Sequence, residues 1–153
     1  MDAKHVNLIL DAFTNVMPQL GLSNIEKKNM SLRDKIITST GVGIVISILG
    51  DIKGNIIYIL SEEDAKTIAS TMMMGMPVDV LDEMSKSAVS ELINMLTANA
   101  ATNFANNGIV IDISPPMLIH GDVVVSTNVD KVLSLKMGIN DMLMEVNIAL
   151  ENS

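Results

Sequence analysis

The sequence predicts an α+β fold: a largely antiparallel sheet packed with two long helices and one short helix, in a single domain spanning residues 1–153. Three observations lead there. Helical periodicity is confined to three segments, near 2–20, 61–74 and 79–106. Apolar runs of strand length crowd the intervals between them, and turn chemistry at Gly50–Gly54 and Gly138–Asp141 joins neighbouring runs into hairpins. Runs of strands with helices interposed favour an antiparallel sheet over strict strand–helix alternation.

In order along the chain, Val6, Ile9, Leu10, Phe13 and Met17 recur at helical spacing, and Gly21 follows as a stop signal. Leu22–Leu32 is less periodic and holds a strand. Gly41–Leu49 alternates and then runs apolar, Asn55–Leu60 is a second apolar run, and Gly50-Asp51-Ile52-Lys53-Gly54 is the turn between them. Ser61 caps the short helix, with Asp64 standing where a capping box usually has Glu or Gln. That helix stops at Gly75, with Pro77 beyond. The second long helix starts near Asp79 and ends before Gly108. Strands follow at 109–113, 117–119, 122–126, 131–137 and 142–150. A helix with three strands fills 2–60 and a helix with several strands fills 79–150, an order that reads as a degenerate internal duplication.

Composition narrows the function classes. A chain of 153 residues with 48% apolar and 18% charged residues can bury a core and is not disordered. Phe13, Tyr58 and Phe104 are its only aromatics. Its 13 methionines serve as flexible core filling or, at Met72–Met74 above all, mark an adaptable binding surface; core filling is the default. The net charge of −8, with no basic stripe and no stacking aromatics, excludes nucleic acid and anionic membrane as partners. Zero cysteines exclude disulfides, zinc–thiolate sites and thiol nucleophiles. Asp2, Lys4 and Asp11 are unlike a signal peptide, and no apolar run approaches the ~18 residues of a membrane span. A cytoplasmic protein is expected. His5 and His120 have no acid at metal-ligand spacing and read as ordinary surface or edge residues, so no metal or cofactor of its own is expected. Gly41-Val42-Gly43 precedes a strand and lacks a following Lys-Ser/Thr, which excludes a phosphate loop.

The long helix carries the informative pattern. Leu81, Met84, Ala88, Val89, Leu92, Ile93, Met95 and Leu96 are assigned to one broad buried face, and Ser87, Glu91, Asn94, Ala98, Ala101 and Ala105 to the opposite side. Glu91 and Asn94 are one turn apart, so their side chains project together. Their neighbours are small, where an exposed helix normally carries Lys, Glu and Gln. Asn mid-helix costs roughly 0.5 kcal/mol relative to Ala. Helix geometry alone leaves two readings open, a solvated surface or a contact site.

Glu91-x-x-Asn94-Met95-x-x-x-Asn99-Ala100, with Ser87 before it, resembles the signature of the CheC/CheX/FliY phosphatases of bacterial chemotaxis. So does Ser114-Pro115-Pro116-Met117-Leu118-Ile119-His120-Gly121. The resemblance covers essentially the whole chain, and a single Glu-x-x-Asn pair is similar to CheX rather than to the two-site CheC. Ala98 stands where family members often have Gly, and the proline pair replaces a single proline. The resemblance implies a CheC-like fold and a phosphatase acting on a phosphorylated CheY-type response regulator. Asn94 would hold the attacking water, Glu91 would pair with the regulator's lysine, and Ser87 and Ala98 would line the contact. Mg²⁺ would sit on the regulator, and Asn99 would be structural. It also implies a homodimer, expected through an edge strand of the C-terminal hairpin. Two other readings are a non-catalytic receiver-binding or flagellar-switch-like domain, and a small-molecule binder with an enclosed pocket.

Overall fold

The computed structural model describes residues 3–152; the start expected for the first helix, Asp2, lies outside them. The helices are α1 (Ala3–Val16), α2 (Glu62–Met72) and α3 (Glu83–Ala105). The strands are β1 (Glu26–Arg33), β2 (Ile36–Ser39), β3 (Val42–Gly50), β4 (Ile52–Leu60), β5 (Ile111–Ile113), β6 (Met117–His120), β7 (Val123–Ser126), β8 (Val132–Ile139) and β9 (Met142–Asn152). Seven strands form one antiparallel sheet in the order β1-β8-β9-β4-β3-β5, with β6 also on β3, while β2 and β7 make a separate ribbon. Two hairpins meet at a central seam, β4 against β9, in register from Ile52 opposite Asn152 to Leu60 opposite Met144. Each half of the chain supplies a helix, an outer strand, a ribbon strand and a hairpin. Each outer strand pairs with the other half's hairpin, the order that a duplicated unit would give.

Strand alternation sends side chains to two different covers. On one face, Ile44, Ile46, Ile56, Tyr58, Val146 and Ile148 are buried in one core with Phe13, Val89, Ile93, Leu96 and Phe104 of the helices. On the other, Val45, Ile57, Ile59 and Ala149 are buried with Ile37 and Val123 of the ribbon. Each fully buried aliphatic side chain contributes roughly 1.5–3 kcal/mol. Gly43 belongs to this second core, because a Cβ there would lie 2.8 Å from a Val123 methyl. Met17, Met137, Met142 and Met144 are buried, so these methionines do fill the interior.

Several boundaries differ from expectation. The turn expected over Gly50–Gly54 contracts to Asp51, and Ile52 is already a buried strand residue. Gly54, at φ 139°, is a strand glycine whose added Cβ would collide with the Ala149 carbonyl oxygen. The four-residue β2 was not anticipated, and β7 pairs with it rather than with the main sheet. Helix α3 starts later than Asp79: the Asp82 carboxylate accepts hydrogen bonds from the Ser85 amide (2.9 Å) and hydroxyl (2.8 Å). The bond from the Ser85 amide is the main reason the Asp82 carboxyl is held below its usual range. Asp64 replaces the capping-box Glu because its carboxylate accepts from the Leu143 amide of β9 (3.1 Å), and the Ser61 hydroxyl caps α2. The C-terminal hairpin is interior, not an edge; among the described residues one edge is β1, which pairs only with β8, and the other is β5 and β6, which pair only with β3. Among the described residues no helix is long and apolar enough to cross a membrane.

One polar contact crosses the helix–sheet interface in full burial. Thr97 Oγ1 donates to the Ile93 carbonyl (2.8 Å), so its single hydrogen is used, and the Tyr58 hydroxyl at 2.9 Å donates to it. Burial outweighs this bond and pushes the Tyr58 pKa up to about 12. A folded pKa above the ordinary 10 gives stability that is complete below about pH 10. It is lost as the pH rises toward 12, on the order of 2–3 kcal/mol. Because Tyr58 is the only tyrosine, tyrosinate absorbance reports it alone. Native protein is expected to show almost no tyrosinate at pH 10.5; a midpoint near 10 with native circular dichroism would contradict the assignment.

Candidate functional site

Helix α3 is rolled by its inner stripe. Val89, Leu92, Ile93, Leu96, Ala100 and Phe104 are buried, and the buried Ser85 and Thr97 have the hydrogen bonds already described. Met84 does not join them: it is 65% exposed. At about 100° per residue Met84 points within about 20° of Glu91, so its apolar character rather than its position had suggested burial. Ala88 and Met95 are only half-buried. The roll leaves Ser87, Glu91 and Ala98 exposed and Asn94 half-buried on the outward side.

These side chains meet a second wall. A groove of about 720 Å³ runs between α3, through Ser87, Ser90, Glu91 and Asn94, and the β5–β6 segment, through Pro115, Pro116, Leu118 and His120. The second wall is tied down at both ends. Ser114 exchanges two hydrogen bonds with Ser47 of β3, its hydroxyl accepting from the Ser47 amide (2.9 Å) and its amide donating to the Ser47 carbonyl (2.9 Å). At the far end the Gly121 amide donates to the Gly41 carbonyl (2.7 Å), and His120 Nε2 lies 3.5 Å from Glu62 Oε1 of α2. The proline pair is thus stretched between two anchors opposite Asn94.

Glu91 and Asn94 share this stretch of α3 with Ser87 and Ser90, and all four present their side chains to the groove. Neither the Glu91 nor the Asn94 side chain makes a hydrogen bond or ion pair within the described residues. Asn99, by contrast, accepts from Asn15 of α1 (3.1 Å), and Asn103 donates to the Leu8 carbonyl (2.9 Å), so both tie α3 to α1. Asn94 therefore offers an unpaired amide, donor and acceptor together, inside the groove, with an unpaired carboxylate one turn before it. Ser87 lines the groove as expected, whereas Ala98 is exposed but outside its lining. Sequence reasoning missed Ser90, four residues before Asn94 and readable from the same helical spacing. It also missed the placing of His120, whose neighbour Glu62 is far away in sequence. Among the described residues no cluster of His, Asp and Glu is arranged to hold a metal ion.

The chain is similar to known proteins. A family model described as chemotaxis phosphatase CheX matches residues 42–137, which include both walls of the groove. The CheY-P phosphatase CheX of Thermotoga maritima is 36% identical over 122 residues, 79% of this chain and 78% of that protein. Among solved structures, a CheX–CheY–BeF3–Mg²⁺ complex from Borrelia burgdorferi is 28% identical with a TM-score of 0.79, covering 97% of this chain and 98% of that one. A CheC-like superfamily protein from Shewanella sp. PV-4 shares the fold with a TM-score of 0.85 at 20% identity, covering 99% and 100% of the two chains.

A pair without internal partners is dispensable for folding. Glu91→Ala and Asn94→Ala are expected to melt within about 2–3 °C of the parent. A much larger drop in either, measured by thermal denaturation, would show that the pair holds the fold instead of serving a site.

Proposed function

The chain belongs to the CheX family of chemotaxis phosphatases, and from that premise we propose that it hydrolyses the aspartyl phosphate of a phosphorylated CheY-type response regulator, ending a chemotaxis signal in the cytoplasm. The observation that carries this reading is the unpaired Glu91–Asn94 pair in the groove.

The chemistry required of such a site is small. Phosphoryl transfer to water passes through a loose transition state, so positioning and charge stabilisation dominate. Asn94 accepts a hydrogen bond from one water and turns its oxygen toward phosphorus. As the new P–O bond forms, the acyl P–O bond breaks and the aspartate carboxylate leaves with the electron pair. A carboxylate is a stable leaving group, so little proton removal is needed and Glu91 is not cast as a general base. Glu91 instead pairs with a lysine of the regulator, and this charge-assisted contact fixes the register of docking. Mg²⁺ belongs to the regulator; this chain brings no cofactor. Ser87 lines the contact, and Ala98 adds a methyl just beyond it. A receiver-binding module without catalysis would have no use for the free amide of Asn94, which favours the catalyst over the switch-like alternative.

We further propose a homodimer, formed through β1 rather than the interior hairpin. Among the described residues the outer edge of β1 pairs with no strand, and Met30 and Leu32 of that strand are 52% and 66% exposed. Light scattering at micromolar concentration is expected to give the dimer mass, and Met30→Glu with Leu32→Glu the monomer mass; a monomeric parent would contradict this.

The test of catalysis is the decay of a ³²P-labelled regulator. The parent protein is expected to accelerate it, and Asn94→Ala to lose about a hundredfold, or ~3 kcal/mol of transition-state stabilisation. No acceleration of a regulator that demonstrably binds would transfer the protein to the switch-like class.

A further inference from the structure

The methionines of the α2–α3 connection are not core filling. Met72 packs partly against the core, but Met74 is 96% exposed, Met76 57% and Val80 71%, followed by Met84 at 65%. Four exposed apolar side chains fall within eleven residues, a density that solubility alone would disfavour. Met74 also sits in the left-handed region at φ 61°, directly before Gly75 at φ 86°. Glycine or asparagine takes that backbone with less strain than methionine does. The Gly75 amide closes the end of α2 by donating to the Ser70 carbonyl (2.8 Å), which holds Met74 outward.

These residues lead toward the groove, whose lining begins at Glu83 and Lys86, on either side of Met84. Val80 precedes the cap of α3, its carbonyl 3.4 Å from the Ser85 hydroxyl. Met84 stands two turns, or about 10 Å, before Glu91 on nearly the same line of the helix. A macromolecule seated over Glu91 and Asn94 passes over Met84. The surroundings are mainly acidic: Asp79, Asp82 and Glu83 are exposed and residues 74–84 contain no Lys or Arg, the next cation being Lys86, 4.0 Å from Glu83.

We propose that Met74, Met76, Val80 and Met84 form a second, apolar contact for the same response regulator, gripping an apolar patch on it that is rimmed by basic residues. This rests on the phosphatase reading above and adds to it where the regulator is held. Acidic flanks argue against an anionic membrane as occupant. They argue equally against a second copy, which would set acid against acid. Methionine suits the task because its unbranched thioether adapts to an irregular partner surface.

The experiment measures regulator dephosphorylation against regulator concentration for the full chain, Met74→Ser, Met84→Ser and the double variant. Leu49→Ser, an exposed apolar residue near the end of β3 on the sheet face away from the helices, is the control. Binding of the regulator is measured in parallel by calorimetry. Each single variant is expected to raise KM and Kd by about fivefold and the double variant by more, with the loss on KM rather than kcat; Leu49→Ser is expected to match the parent. An active parent with unchanged KM and Kd in the Met variants would overturn the proposal and leave the phosphatase reading intact. So would a change in mass by light scattering with receiver affinity unaltered, which would assign these residues to self-association. A parent that binds without hydrolysing sinks the catalytic reading while the Kd series still decides this one. A parent that does neither overturns both.

Discussion

The site depends on which way α3 faces, and the dry contact between α3 and the sheet decides that. An apolar stripe alone tolerates some rotation, because dispersion and the hydrophobic effect are weakly directional. The Tyr58–Thr97 hydrogen bond is directional, fully buried and part of a chain that ends on the Ile93 carbonyl one turn back. Leaving either hydroxyl unpaired in that interface would carry a desolvation cost of roughly 1–3 kcal/mol. Rolling the helix by one residue would break the bond and bury Glu91 or Asn94 without a partner. Fold and site are thus set by the same interface, the fold on its inner side and the unpaired carboxylate and amide on its outer side.

The second wall depends on topology more than on helix packing. β5 and β6 both lie on β3, and the two prolines between them cannot donate to a ladder, so the chain leaves the sheet there and rises opposite α3. The Ser114–Ser47 bonds and the Gly121–Gly41 bond fix the ends of that excursion. His120 adds a contact to α2, which links the groove to the helix whose far end carries the exposed methionines. The groove is therefore a fixed gap between two supported walls, the kind of preorganised surface that positioning chemistry requires.

Much of this was legible in the residues, for identifiable reasons. The three helices and both hairpins follow from period and punctuation, and the direction of Glu91 and Asn94 follows from helix spacing. What was not legible depends on long-range partners. β2 is too short to show a period, and its pairing with β7 has no local signal. The late start of α3 at Asp82 was hidden because Asp79 is an equally good cap in sequence and only Ser85 discriminates between them. Gly54 looked like a turn residue because the reason for it, the Ala149 carbonyl, lies on another strand. Met84 and Met74 were misread for a different reason: apolar character was taken as burial, although an exposed methionine on a docking face has the same composition as a buried one.

The central claim is that Asn94 acts on the bound regulator and not on its binding. The measurement that tests it most directly is the hydrolysis rate per complex at saturating phosphorylated regulator, in a single turnover, for the parent and Asn94→Ala. The account predicts that Asn94→Ala binds with near-parental affinity while its rate within the complex falls about a hundredfold. An Asn94→Ala complex that hydrolyses at the parental rate once formed would contradict it and reduce Asn94 to a docking contact.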